Sequence, residues 1–395
     1  MPAKVVPSVM TQGFQQHAEI ELDIECLRAN YHEIARRVGP GIKIIPAIKA
    51  DAYGFGALET AKIFERLGAF ALFTGDVSEA IAIKAAGVRI PVIMFGAYLP
   101  EDVPFLLAQG LVPTIYDRDF AAAASAAATA PTEIYIKVDA GLGRLGVPIA
   151  EAAEFIHWVS GVPNLAIAGV YTHLPFGDES GLAWARRHLA EFDALLDTLA
   201  AAGIAVPASQ ARASSCIAAG LTDRANTVCV GHLLYGLTPF DDPADIPGIR
   251  PVLRAIRSRL IHVGRHPQGS DVAIAGSYGL IRGRITGVLP VGRSSGLGEL
   301  DPARPAHAFI GGRRAPLIGI SLEHTTVDLD GLADAKVGDA VDLVNETAPG
   351  GTRLAEFARA QGRSALTTMV ALSGHWRRRY VDPVKDVWSA FNRTA

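Results

Sequence analysis

The sequence has few residues that could cross-link it. Its three cysteines, Cys26, Cys216 and Cys229, are an odd set with no Cys-x-x-Cys spacing. That argues against a disulfide framework and against a zinc site, so no metal is expected, and it fits a reducing, cytoplasmic setting. An excess of one charge is also missing: 37 basic and 40 acidic residues leave a net −3, with Lys and Arg scattered apart from Arg377, Arg378 and Arg379. Neither nucleic acid nor an anionic membrane is advertised as a partner. No apolar stretch is long and charge-free enough to span a bilayer, and MPAKVVPSVMTQGFQQ lacks the apolar core of a signal peptide. What is present is a globular composition, 49% hydrophobic and 19% charged, in a chain too long for one ordinary core. Two domains, or a barrel with an appendage, are expected.

Between about residues 26 and 240, short apolar runs alternate with longer amphipathic segments. The strand windows are 43–48, 69–75, 90–96, 111–117, 133–139, 166–173, a short run near Ala211 to Ser214, and 226–231. Between them lie helical stretches such as ALETAKIFERLG (57–68), SEAIAIKAAG (78–87) and LAWARRHLAEFDALLDTLAAAG (182–203). About eight such units predict an α/β fold, a TIM (β/α)8 barrel. An open doubly wound sheet ranks behind, because no Gly-x-Gly-x-x-Gly opens its first helix. Beyond about Asp245 the texture turns to Gly, Pro, Arg and Val, through RSRLIHVG, SDVAIAG, GRITGVLPVG, APLIGIS and DAVDLV, which predicts a mainly β C-terminal domain. The expected division is an N-terminal segment with a first strand (1–25), the barrel (26–245), the β-rich domain (246–385) and a tail (386–395). Its boundary falls in DDPADIPGIRP (241–251), a poor helix and a poor strand.

The run IPAIKADAYGFGA puts Lys49 at the end of an apolar strand, which in a βα barrel is the mouth where active sites are built. KADAYG with Gly56 resembles the cofactor-lysine motif of the alanine racemase family, although Phe55 stands where the family has histidine. Further matches follow in order: IKVDAGLGRLGV (136–147), YTHL at His173, RASSC at Ser215, VGHLLYG at Gly231 and His232, and GSYG (276–279) at Tyr278.

The resemblance implies a pyridoxal 5'-phosphate enzyme with the cofactor held on Lys49 and its phosphate met by Tyr53, Ser215 and the amides of Gly231 and His232. It implies Lys49 and Tyr278 as two bases serving the two faces of an amino-acid substrate, with Arg144 pairing with the catalytic tyrosine and the substrate carboxylate and with His173 behind. A guanidinium, always charged and forked, suits a carboxylate. It also implies carbamylation of Lys137 and a homodimer whose active sites are shared, Tyr278 reaching the other subunit.

The departures cluster around substrate and ring. Cys229 stands where the family has an arginine facing the pyridine nitrogen, Arg293 where it has an entrance tyrosine, and Leu322–Glu323 where it has a Met-Asp substrate pair. Arg293 and Glu323 point to a polar or charged side chain, or to a range of substrates broader than alanine. A thiol is a weak donor, whereas a thiolate would accept from a pyridinium, so Cys229 keeps a second reading open: a lyase, decarboxylase or transaminase on the same fold. A cofactor-binding protein without turnover ranks last.

Overall fold

A computed structural model of the chain describes residues 17–96, 98–241, 245–274, 280–372, 374 and 376–382. It divides into two compact units, Asp23–Val252 and, with the strand that precedes Asp23, Leu253–Val381.

In the first unit eight short strands run parallel: β1 (Lys43–Pro46), β2 (Leu72–Thr74), β3 (Val92–Met94), β4 (Val112–Ile115), β5 (Thr132–Asp139), β6 (Leu165–Leu174), β7 (Ala208–Arg212) and β8 (Thr227–Val230). Each pairs with the next, β8 returns to β1, and an Ala47–Phe73 bridge with Ile48 N–H donating to Phe73 O (2.9 Å) joins β1 to β2. The sheet therefore closes into the predicted barrel. Ile45, Phe73, Ile93, Tyr135, Tyr171 and Ala208 meet in its interior with Val112 and Cys229 against them, a layer to which every strand contributes. Such strands are apolar on both faces, which is why they read in the sequence as continuous apolar runs. The seventh runs Ala208–Arg212, earlier than the window near Ala211 to Ser214. ASQAR is buried throughout yet weakly apolar, and Ser214 already opens the next helix.

The helices start where sequence chemistry says they should. Asp23, Asp76, Asp117 and Asp178 each accept a backbone N–H of the first turn, from Cys26, Glu79, Phe120 and Gly181 at 2.8 to 3.0 Å, satisfying donors that the helix itself leaves open. Helix Ile24–Val38, which precedes β1, packs on the turn after β8 and on helix Ser214–Ala218, and so fills the eighth place in the ring.

In the second unit nine strands form one sheet, in the order His262–Arg265, Ile285–Leu289, Thr325–Asp328, Arg313–Ile320, His307–Ile310, Ala340–Asn345, Leu253–Arg259, Ala18–Asp23 and Arg377–Val381. The first strand of the chain thus belongs to the β-rich unit, antiparallel to Leu253–Arg259 from Ala18 opposite Ser258 to Leu22 opposite Leu253. All five β windows of the sequence carry strands, with two short helices, Leu354–Arg359 and Ala365–Leu372, after them. Among the described residues no helix is long and apolar enough to cross a membrane.

Asn30 is fully buried and makes three bonds: Nδ2 donates to Leu234 O (3.2 Å) and Arg250 O (2.8 Å), and Oδ1 accepts from Arg250 N–H (2.8 Å). Asn30→Leu should therefore destabilise the barrel by about 2–4 kcal/mol, since it strands buried backbone groups. Urea unfolding followed by barrel fluorescence checks this, and an unchanged midpoint would refute it.

Candidate active site

The peptide that carries Lys49 leaves β1 through an unusual turn. Ala50, Asp51, Ala52 and Tyr53 all have φ between 52° and 59°, one left-handed turn built without glycine. For L residues that conformation costs roughly 1–2 kcal/mol each, so it persists only where the surroundings over-determine it. They do. Ala52 N–H donates to Ile48 O (2.7 Å) and Asp51 N–H to Glu79 Oε1 (2.6 Å), while Asp51 Oδ1 accepts from Ala57 N–H (2.8 Å) and Asp51 O from Gly56 N–H (2.8 Å). The turn sets Lys49 Nζ between two aromatic rings, 5.7 Å from the centre of Tyr53 and 5.6 Å from that of Phe95.

Both rings line a cavity of about 300 Å³ at the C-terminal ends of the strands. Lys49, Lys137, Arg144, His173 and His232 line it with no carboxylate among them; aromatic and apolar walls come from Phe73, Phe95, Leu145, Tyr171, Pro175 and Pro239. Burial and crowding disfavour positive charge here. Burial, with Arg144 adding to it, lowers the Lys49 ammonium below its ordinary value and brings Lys137 down to about 7. Lys137 Nζ lies 4.4 Å over the Tyr171 ring. Burial holds His232 at about 4 and His173 well below its usual range, helped there by Lys137, Lys49 and Arg144, so both imidazoles are neutral at physiological pH. Burial also pushes the Cys229 thiol up to about 12, against the pull of Lys49 and Lys137. The thiol is therefore neutral.

Arg144 reaches this wall on a loop with Gly141, Gly143 and Gly146 at φ of 105°, 71° and 128°. Asp139 ties the loop down by accepting N–H groups from Gly141, Leu142 and Gly143 at 2.8 to 3.1 Å.

A second cluster suits a phosphate. A Cβ on Gly231 would lie 2.1 Å from Tyr53 Oη, so only glycine lets that phenol approach the strand end. Ser214 Oγ accepts Gly231 N–H (3.3 Å) and Ser215 Oγ accepts Phe176 N–H (3.0 Å); each hydroxyl keeps its own hydrogen to donate. The His232 ring meets Tyr53 edge-on, with centroids 5.4 Å apart. Phenol, two hydroxyls and backbone amides at one end, with a desolvated lysine in the same cavity, fit an aldehyde cofactor bearing a phosphate.

The structure brings together Lys49, Tyr53, Lys137, Arg144, His173, Ser215, Cys229, Gly231 and His232. Arg293, Leu322 and Glu323 form a separate group in the β-rich unit. There Arg293 N–H donates to Ser321 O (3.0 Å) and Ser294 N–H to Leu322 O (2.8 Å), with Leu322 two-thirds exposed and the Arg293 guanidinium 2.7 Å from Glu299. Tyr278 lies outside the described residues.

Comparison with known proteins identifies the family. The profile of "Alanine racemase, N-terminal domain" matches residues 22–239, and that of "Alanine racemase, C-terminal domain" matches 253–380. The alanine racemase of Desulfovibrio desulfuricans is 31% identical over 335 residues, covering 84% of this chain and 90% of that protein. That of Halothermothrix orenii is 28% identical, covering 82% and 86%. This chain belongs to the alanine racemase family. The fold agrees: an alanine racemase structure from Clostridium difficile 630 superposes with a TM-score of 0.84 at 23% identity, covering 94% of this chain and 97% of that one. One from E. faecalis gives 0.83 at 24%, covering 93% and 99%. The chain is accordingly an enzyme of the racemase class.

Phe95, Tyr171 and Gln210 also line the cavity; in the sequence an aromatic inside a strand window looks like core, and Gln210 belongs to no motif. GLGRLG (141–146) spells Gly-x-Gly-x-x-Gly, yet it follows β5 and presents Arg144.

Lys137 yields a pH prediction. Its folded value near 7 against an ordinary 10.5 means that between those pH values the folded chain binds fewer protons than the unfolded one, so stability rises with pH across that window and the full penalty applies below it. In bicarbonate-free buffer, Lys137→Met should be more stable than the parent at pH 6–7, the gain shrinking toward pH 10. Denaturant melts across pH check this; a gain that is flat or grows with pH would contradict it.

Proposed function

We propose that this enzyme is a pyridoxal-phosphate-dependent amino-acid racemase that inverts Cα by two-base proton transfer, on a substrate other than, or broader than, alanine. The observation that carries the reading is the cavity itself, in which Lys49 shares a carboxylate-free wall with Lys137 and Arg144 beside the Tyr53–Ser214–Gly231 cradle. When bound, the cofactor supplies an electron sink that acidifies the Cα proton. Tyr53, Ser214, Ser215 and the amides at Gly231 and His232 would hold its phosphate, and Lys49 would hold its aldehyde carbon.

Freed from that carbon when the substrate amino group takes its place there, Lys49, its proton affinity lowered by burial, would take or return the Cα proton on one face. Tyr278, supplied by the partner in a homodimer, serves the other. Arg144 orients the substrate carboxylate, and the neutral His173 is the residue behind the phenol. A Lys137 ammonium with a value near 7 leaves a large neutral fraction at physiological pH, the form that adds carbon dioxide, which supports its carbamylation. The residue types of Arg293 and Glu323, where the family resemblance has an entrance tyrosine and an aspartate, support selection of a polar side chain. The neutral thiol of Cys229 adds no negative charge to the cavity and so favours inversion over the lyase, decarboxylase or transaminase alternatives.

Borohydride reduction of the yellow holoenzyme should fix the pyridoxyl group on Lys49 by peptide mapping, and labelling of another lysine would sink the reading. A panel of single-enantiomer amino acids followed by chiral chromatography and product mass separates inversion from carbon loss and identifies the substrate.

For the second base, Tyr278→Phe should slow α-proton exchange from one enantiomer by about 10²-fold or more, the usual scale of general acid–base catalysis. Exchange from the other enantiomer through Lys49 should be largely spared. Equal, small losses for both would make Tyr278 a packing residue.

A further inference from the structure

Glu79 sits outside the cavity lining, in the first turn of helix Val77–Ala85, which follows β2. Its carboxylate is half-buried and bridges two strand ends. Oε1 accepts the Asp51 N–H (2.6 Å), within the left-handed turn, and Oε2 accepts the hydroxyl of the fully buried Thr74 (3.3 Å), the last residue of β2. Thr74 Oγ1 in turn accepts Asp76 N–H (3.2 Å), and the Asp76 side chain caps Glu79 N–H (3.0 Å). The second residue after Lys49 is thereby tied to the neighbouring strand through a side-chain acceptor.

We propose that Glu79 is a positioning residue for Lys49: its carboxylate holds the turn from Ala50 to Tyr53 in the left-handed conformation and thereby fixes where Nζ points. This rests on the reading of Lys49 as the cofactor-bearing base.

The mechanism makes two demands that a merely structural role would not. An acceptor of the same shape must suffice, and relieving the backbone strain must compensate for its loss. Glu79→Gln keeps an oxygen for Asp51 N–H, whereas Glu79→Leu removes it at similar volume. Ala50 is exposed and has φ of 52°, so Ala50→Gly lets the turn adopt its conformation without strain and without loss of packing.

The experiment compares the holoenzyme with Glu79→Gln, Glu79→Leu and Glu79→Leu/Ala50→Gly. It reads the visible circular dichroism of the bound cofactor, kcat and KM for the amino acid found by the panel, and the site labelled by borohydride. Glu79→Leu should lose more than half of the visible dichroism and about tenfold or more in kcat, with KM within about twofold. Glu79→Gln should stay within about threefold of the parent, and the double variant should recover most of the lost dichroism.

If Glu79→Gln falls as far as Glu79→Leu, or if Ala50→Gly restores nothing, the proposal is overturned. If Glu79→Leu does not fold, amide hydrogen exchange at residues 50–53 in Glu79→Gln and the parent decides: protection in both supports the clamp, and rapid exchange in the parent overturns it. Labelling of a lysine other than Lys49 would instead overturn the functional reading, so the two failures are distinguishable.

Discussion

Three cationic side chains, Lys49, Lys137 and Arg144, face one cavity whose lining, among the described residues, includes no carboxylate, and this crowding of like charge in a desolvated space is the constraint on which the rest of the site depends. Desolvating a cation is costly, and a lysine meets that cost by shedding its proton. The lowered ammonium values of Lys49 and Lys137 and the neutral states of His173 and His232 are thus one effect seen at four residues. An arginine cannot respond in this way, so Arg144 is where positive charge stays. The cavity therefore holds a fixed cation beside lysines whose charged forms are disfavoured, which suits an anionic ligand near a lysine proposed as nucleophile and base.

Holding such a cluster requires rigid supports, and the barrel provides them. Every group sits at or just beyond a strand end, and the strands are locked by an interior layer drawn from all eight. Where a side chain must leave the strand direction the backbone is strained, and the strain is matched by local bonds: the left-handed turn after Lys49 is tied by Ile48, Glu79 and its own Asp51, and the glycine loop bearing Arg144 is tied by Asp139. Left-handed glycines are inexpensive, but left-handed alanines are not. The turn after Lys49, on which the proposed chemistry depends, is thus strained yet held by several bonds.

Legibility in the sequence followed the same physics. Strands buried on both faces appear as apolar runs, and aspartates before helices appear as caps, so the barrel and its mouth were readable from residues 43 to 240. Lys49, Tyr53, Lys137, Arg144, His173, Ser215, Cys229, Gly231 and His232 were findable as a set because they recur in motif order, and the structure gathers them into one cavity. The N-terminal strand's membership of the β-rich sheet was not readable, since pairing between Ala18–Asp23 and Leu253–Arg259 spans more than two hundred residues. Glu79 was invisible for another reason: a glutamate in a first helical turn is ordinary in any βα unit, and only its distance to Asp51 singles it out.

Cys229 shows how burial can decide between chemistries that composition leaves open. As a residue type, a thiol between two lysines suggests a thiolate, because each ammonium would favour the anion. Here burial raises the cost of a thiolate by more than Lys49 and Lys137 lower it. The balance leaves the thiol protonated, with a value near 12. A neutral Cys229 can offer only a weak hydrogen bond to whatever ring lies beside it. The burial that lowers the Lys49 ammonium thus also keeps Cys229 protonated and withholds the negative charge that a reaction demanding a stronger electron sink would need.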